Sequence, residues 1–175
     1  MVMLTHAWLA LRSLFWTIVL PGVFAGYLPW RFFGLRSAAV DLGAPLHWAG
    51  FLLIGVGVAL LAACIFEFAR TGLGTLAPLD PPRVLVVRGL YRYVRNPMYL
   101  SVTSIILGEA LLTGSRALLI YWAIWFLAAN LFVVSYEEPT LRRRFGASYD
   151  LYAHQVRRWL PRVKPAISKA NATEA

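Results

Sequence analysis

Two short segments about forty residues apart carry the polar side chains that could do chemistry, Arg95-Asn96-Pro97 and Glu137-Glu138-Pro139. Asparagine before proline reads as the beginning of a helix: Asn96 caps free backbone donors, and Pro97 sits where no amide hydrogen is required. That helix start presents unpaired N–H groups and the positive end of its dipole, and with Arg95, Arg92 and Arg88 upstream it makes an anion site. Glu137 and Glu138 close an apolar run, and Pro139 disfavours helix at the residue before it. Adjacent carboxylates at a helix C-terminus repel each other and oppose the dipole, so something cationic should neutralise them. Arg95, Arg142 or the ammonium of a ligand would serve. An anion site beside a cation site suits a zwitterion, such as the α-ammonium and α-carboxylate of an amino-acid-like cofactor. Direct pairing of Arg95 with the glutamates, as an interfacial ion pair, suits the same residues equally well.

The elements that must bring these segments together are apolar helices. The chain of 175 residues is 59% hydrophobic and only 14% charged, and its mean hydropathy is more than a water-soluble domain of this size readily hides. A bilayer span needs about 20 mostly apolar residues. Ser13 to Trp30, Trp48 to Phe66 and Ala117 to Tyr136 are uncharged, with Asn130 the strongly polar side chain of the last run. Met98 to Thr113 is shorter, carries one charge at Glu109, and is followed at once by the compact turn Gly114-Ser115-Arg116. It reads as a fourth span paired as a hairpin with the last; re-entry without crossing is the alternative. In such a hairpin the start of one helix and the end of the other share a membrane face, which sets Arg95 beside Glu138.

The expected fold is therefore all-α, an integral membrane helical bundle of about four transmembrane helices in one domain over residues 1–165. The spans are placed at about 13–30, 48–66, 98–113 and 117–136. A cytosolic amphipathic helix at the membrane interface follows over about 140–160, where apolar residues recur at Leu141, Phe145, Tyr149, Tyr152, Val156 and Trp159 among arginines. It reads as a helix at headgroup level or as a lid over a site at the membrane surface. Residues 166–175 read as a disordered tail. The first run lacks a cleavage pattern before Pro29 and reads as a retained anchor.

The formal charge of +9 does not call for nucleic acid. Fourteen of the 17 Lys and Arg fall on one side of the four-span topology, which puts both termini and the central loop in the cytoplasm. Anionic lipid headgroups account for the basic excess. Gly72-Leu73-Gly74-Thr75 follows an apolar span instead of a strand and lacks the rest of a phosphate loop. Cys64, the single cysteine, excludes an internal disulfide and reads as a small buried hydrophobe. His6, His47 and His154 have no ligand spacing, so no metal site is expected. Glu67 is expected to pair with Arg70. Glu109 either lines the site or faces the bundle interior.

The stretch RGLYRYVRNPMYL, Arg88 to Leu100, followed by EEPTLRRRFGASYDLYAHQVRRWLP, Glu137 to Pro161, resembles the bacterial branch of the isoprenylcysteine carboxyl methyltransferase family and the related phospholipid methyltransferases. The resemblance covers roughly Gly72 to Pro161. It implies a small helical membrane enzyme that binds S-adenosylmethionine near the cytosolic face, in a bacterial inner (cytoplasmic) membrane. On matching positions it implies cofactor contacts by Arg95, Asn96, Pro97, Tyr99, Glu137 and Glu138, with Leu141 in the second motif. Asn96 stands where the eukaryotic isoprenylcysteine enzymes have histidine, a departure that bears on the methyl acceptor more than on the cofactor.

Charge then suggests roles. Glu138, with Glu137 second, would meet the cofactor's ammonium or ribose hydroxyls, and Arg95 with the Asn96/Pro97 helix start would meet a carboxylate. Arg95 and Glu138 are thus the candidate catalytic pair, and Tyr91, Tyr93 and Tyr99 could offer π faces to a sulfonium. The expected reaction is methyl transfer to a lipophilic or membrane-proximal acceptor, such as an isoprenylcysteine-like carboxylate or another lipid. Two other readings compete: an NADPH-dependent membrane reductase of sterol-reductase type, and a small transporter or assembly protein whose interfacial charges only fix topology.

Overall fold

The structure, a computed structural model, describes residues 19–33, 35, 41–71 and 85–166. Residues 13–18 of the first apolar run, the Gly72-Leu73-Gly74-Thr75 stretch with the loop around it, and the tail beyond Ala166 lie outside the described residues. Helix α1 covers 19–32 and contains a π-helical turn at Val23–Tyr27. Helix α2 is Pro45–Thr71 and α3 is Pro97–Thr113, the latter preceded by a 3-10 turn at Gly89–Arg92. Helix α4 runs from Arg116 to Phe145 and α5 is Ala147–Gln155. Among the described residues there is no strand.

Two of these helices, α2 over Pro45–Glu67 and α4, are long and apolar enough to cross a membrane, and only 17% of each apolar window is buried within the protein. A core helix of a water-soluble domain hides its large apolar side chains, whereas Phe51, Leu52, Val58, Ile120, Ile124, Leu127 and Leu131 point outward here. That is the surface hydrocarbon accepts. The shorter α3 is the central element. It packs against α1, α2 and α4 and is buried along most of its length, which explains why its sequence is apolar without a polar face.

Small residues set the seam between α2 and α3. A Cβ placed on Gly57 would come within 2.7 Å of the Ser101 carbonyl, and one on Gly108 within 2.7 Å of the Gly50 carbonyl. Only hydrogen fits there, so the two backbones lie in direct contact, the usual means of tight helix association in lipid. The hairpin between α3 and α4 closes through Gly114, whose φ of 61° is left-handed, and through Ser115, whose hydroxyl accepts the amide hydrogen of Leu118 at 3.3 Å.

Two expectations are corrected at the other end of the hairpin. Helix does not stop at Glu138. A π-helical turn at Val133–Glu137 adds one residue to the coil, with the Glu138 amide bonded to the Val133 carbonyl, and the helix continues through Pro139 to Phe145. The extra residue relieves the clash a proline ring makes with the turn before it. Glu137 and Glu138 therefore sit inside a helix, where the terminal dipole argument does not apply. They lie about 32 Å along α4 from Arg116 at about 1.5 Å per residue, a length that matches the roughly 30 Å thickness of bilayer hydrocarbon.

Nor is there a single helix over 140–160. Gly146, at φ 51° and ψ −131°, ends α4 in a conformation closed to side chains with a Cβ. Helix α5 follows, and 156–166 is a non-helical strap that turns back across 92–96. The apolar set Leu141, Phe145, Tyr149, Tyr152 and Val156 packs on Leu85, Val87 and Ala166. Its period reflects a second protein core.

Candidate functional site

The open base of the hairpin, opposite its Gly114 turn, gathers charges from three separated segments. Arg95 lies just before α3, Glu138 lies in α4, and Arg158 comes from the strap. Arg95 Nη1 is 3.0 Å from Glu138 Oε1. Arg158 holds the same carboxylate with both arms of its fork, Nε to Oε1 at 2.7 Å and Nη2 to Oε2 at 2.9 Å. The Glu138 side chain is 6% exposed, so two guanidinium groups offset the cost of burying one carboxylate. Arg158 is stabilised in its charged form above the ordinary arginine value, chiefly by this hydrogen bond.

Beside this saturated centre are two buried atoms with no partner, Nε of Arg95 and Oε2 of Glu137. One is a donor on a cation and the other an acceptor on a carboxyl group. Buried polar atoms are rarely left open, because each costs roughly 1–3 kcal/mol. Tyr99 hydrogen-bonds Glu137 through its hydroxyl, which leaves Oε2 as the open side of that carboxyl group. Tyr149 is buried behind Arg95, its hydroxyl 3.5 Å from Nη1. Burial first, and the nearby Glu138 second, push its phenol above the ordinary tyrosine value.

The remaining sequence-based candidates divide. Pro97 starts α3 and is fully buried. Asn96 is the capping residue by position, but its side chain makes no cap; its Nδ2 donates to the Arg158 carbonyl at 3.2 Å. Tyr91 is committed to structure, with its side chain hydrogen-bonded to Cys64 and its carbonyl accepting the Tyr152 hydroxyl at 2.8 Å. Arg92 donates to the Ala166 carbonyl at 2.9 Å and Arg88 is exposed, so the expected anion site narrows to Arg95. Arg142 makes its direct pair with Asp150, at 3.1 Å on the surface, and acts on Glu138 as a further positive charge without contacting it. Glu109 is buried about 20 Å up α3 from Arg95, near Tyr121, so it does not line this site. Glu67 rests against Gly89, and the side chain of Arg70 lies outside the described residues. Among the described residues no cluster of His, Cys, Asp and Glu could hold a metal ion.

Arg158 and Trp159 were missed as site residues because their spacing fitted the face of a helix. Trp159 instead inserts between α3 and α4. Its ring meets Tyr99 edge-on at 6.4 Å and Phe126 at 5.2 Å, and its indole N–H donates to Asn130 Oδ1 at 2.9 Å. The polar Asn130 inside an apolar run was the available signal that something donates to it there.

Residues 45–148, more than half of the chain, match the phospholipid methyltransferase family. The chain belongs to that family. The matched span takes in α2, α3, α4 and the first residues of α5, and with them Arg95, Tyr99, Glu137 and Glu138, whereas Arg158 and the strap lie beyond it. Comparison with curated proteins and with solved structures gives no match. Phospholipid methyltransferase family members are membrane methyltransferases related to the isoprenylcysteine carboxyl methyltransferases, and the two long apolar helices of this chain agree with a membrane setting.

Proposed function

We propose that this protein transfers a methyl group from S-adenosylmethionine to a lipophilic acceptor at the cytosolic face of a membrane. The observation that carries the reading is the pair of open atoms at the hairpin base, Arg95 Nε and Glu137 Oε2. An open donor on the Arg95 cation and an open acceptor on the Glu137 carboxyl group, carried by the two segments that the Arg95–Glu138 ion pair joins, complement the carboxylate and ammonium of an amino-acid head. When bound, S-adenosylmethionine supplies an electrophilic methyl group on a sulfonium. Arg95, the α3 start at Asn96 and Pro97, Tyr99 and Glu137 would hold it, Tyr91 supporting them from behind and Glu138 fixing Arg95.

The protein's contribution is placement and exclusion of water. An acceptor carboxylate or thiolate attacks without a general base, so alignment of the reactants can supply about 7–11 kcal/mol in favourable cases. Trp159, wedged between Tyr99 and Phe126, brings apolar surface beside Tyr99, the hydrogen-bond partner of Glu137. An acceptor with an apolar tail, such as an isoprenylcysteine-like carboxylate, approaches such a surface from the bilayer. The four-span arrangement in a bacterial inner membrane, as one domain with both termini cytoplasmic, is part of the same reading. It is supported by the side on which the Lys and Arg fall.

Thermal unfolding of the purified protein with S-adenosylhomocysteine and, separately, with NADPH tests the cofactor. A rise in Tm with S-adenosylhomocysteine alone is expected. A rise with NADPH alone would transfer the site to a reductase, and no rise with either would remove the enzymatic reading. Labelled-methyl transfer against prenylcysteine, phospholipid amines and small thiols in membranes then identifies the acceptor.

A further inference from the structure

Glu137 and Glu138 are neighbours in sequence but not in circumstance. Both oxygens of Glu138 are engaged by guanidinium groups, while Glu137 keeps a buried oxygen open. A ligand ammonium aimed at Glu138 would have to displace a bidentate arginine. Glu137 demands no such exchange.

The way Arg95 meets Glu138 is equally informative. It touches the carboxylate end-on, through Nη1 at 3.0 Å, and Nε remains free. A lone arginine beside a carboxylate prefers the two-pronged contact. Arg95 is denied it because Arg158 already fills that face. Arg158 is in turn aimed by its backbone: Arg95 N–H donates to the Arg157 carbonyl at 2.9 Å, Arg162 N–H to the Tyr93 carbonyl at 3.0 Å, and Ala166 N–H to the Arg92 carbonyl at 2.9 Å. Asn96 grips the Arg158 carbonyl, and Trp159 anchors the next position on Asn130.

We infer that Arg158 is a positioning residue for the site: by occupying the fork face of Glu138 it holds Arg95 end-on, so that Arg95 Nε stays available to a ligand carboxylate while Glu137 receives the ligand's cationic or hydroxyl group. This rests on the cofactor reading above. Glu138 is then the keystone that joins α4, the α3 start and the strap, and it does not touch the ligand. The strap, outside the span that matches the family, sets the reach of Arg95 in a site whose contact residues lie within that span.

Binding of S-adenosylhomocysteine to Arg158→Ala, Arg158→Lys and the double variant Arg158→Ala/Glu138→Gln tests this. With Arg158 gone, Arg95 swings into the two-pronged contact and its Nε is lost to the ligand, so affinity falls tenfold or more. Lysine, which keeps the charge without the fork, restores part of it. Neutralising Glu138 in the Arg158→Ala background frees Arg95 again and recovers most of the loss. A merely structural arginine would give further loss on the second substitution. The inference is overturned if Arg158→Ala binds as tightly as the parent, or if the double variant is weaker than Arg158→Ala. Should the parent itself not bind S-adenosylhomocysteine, the cofactor reading fails and a ligand-free cycle still decides the positioning role. Arg95→Ala should lower Tm at least twice as much in the Arg158→Ala background as in the parent, because Arg95 has become the sole partner of Glu138. Equal losses in the two backgrounds would refute it.

Discussion

The two ends of the α3–α4 hairpin are held together by different kinds of interaction. The far end is local: Gly114 turns the chain, Ser115 caps α4 three residues on, and the Thr113 hydroxyl bonds the Glu109 carbonyl at 2.9 Å within its own helix. The base is assembled from segments far apart in sequence, with Arg95 and the half-buried Arg158 meeting on the buried Glu138 carboxylate. A turn made of local bonds only has to reverse the chain. A cluster made of distant charges responds to anything that moves one of its members, which suits a place where a charged ligand docks.

Breaking the distant end should cost most. Glu138→Ala leaves two guanidinium groups facing each other without their counter-charge, and loss of one partner from a buried ion pair costs about 3–5 kcal/mol. Chemical denaturation in detergent should show it as a fall in midpoint. Trp159→Ala removes the wedge beside the same cluster and strands Asn130, with an expected loss of about 2–3 kcal/mol and faster hydrogen exchange along 156–166. At the local end Ser115→Ala removes one cap, about 1 kcal/mol, and leaves ligand binding unchanged in a titration. Smallest is the surface pair of Arg142 and Asp150, both more than half exposed. Asp150→Asn should shift stability by under about 1 kcal/mol, an effect that added salt removes.

The same contrast governs what the sequence makes legible. The apolar runs announce α2, α4 and the hairpin, because hydrocarbon imposes length and composition directly on a helix. Arg95 and Glu138 are placed on one side by the hairpin alone. The continuation of α4 through Pro139 was hidden, since a π-helical turn has no sequence mark that distinguishes it from a helix end. The strap was hidden for a related reason. Val156 and Trp159 continue the spacing of Tyr149 and Tyr152, yet Val156 is held by the second core and Trp159 by Asn130. Periodicity records that a side chain is buried without recording against what. Asn96 shows the limit at a single residue: its position in the α3 start was readable, and its hydrogen bond to a carbonyl 62 residues away was not.

The most direct measurement of the central claim is equilibrium binding of S-adenosylhomocysteine to the parent and to Glu137→Gln, with stability measured alongside. Saturable binding by the parent, weakened at least tenfold in Glu137→Gln at nearly unchanged stability, is the predicted result. Equal affinity in the two proteins would contradict it, because the open acceptor at the hairpin base would then have no part in holding the ligand.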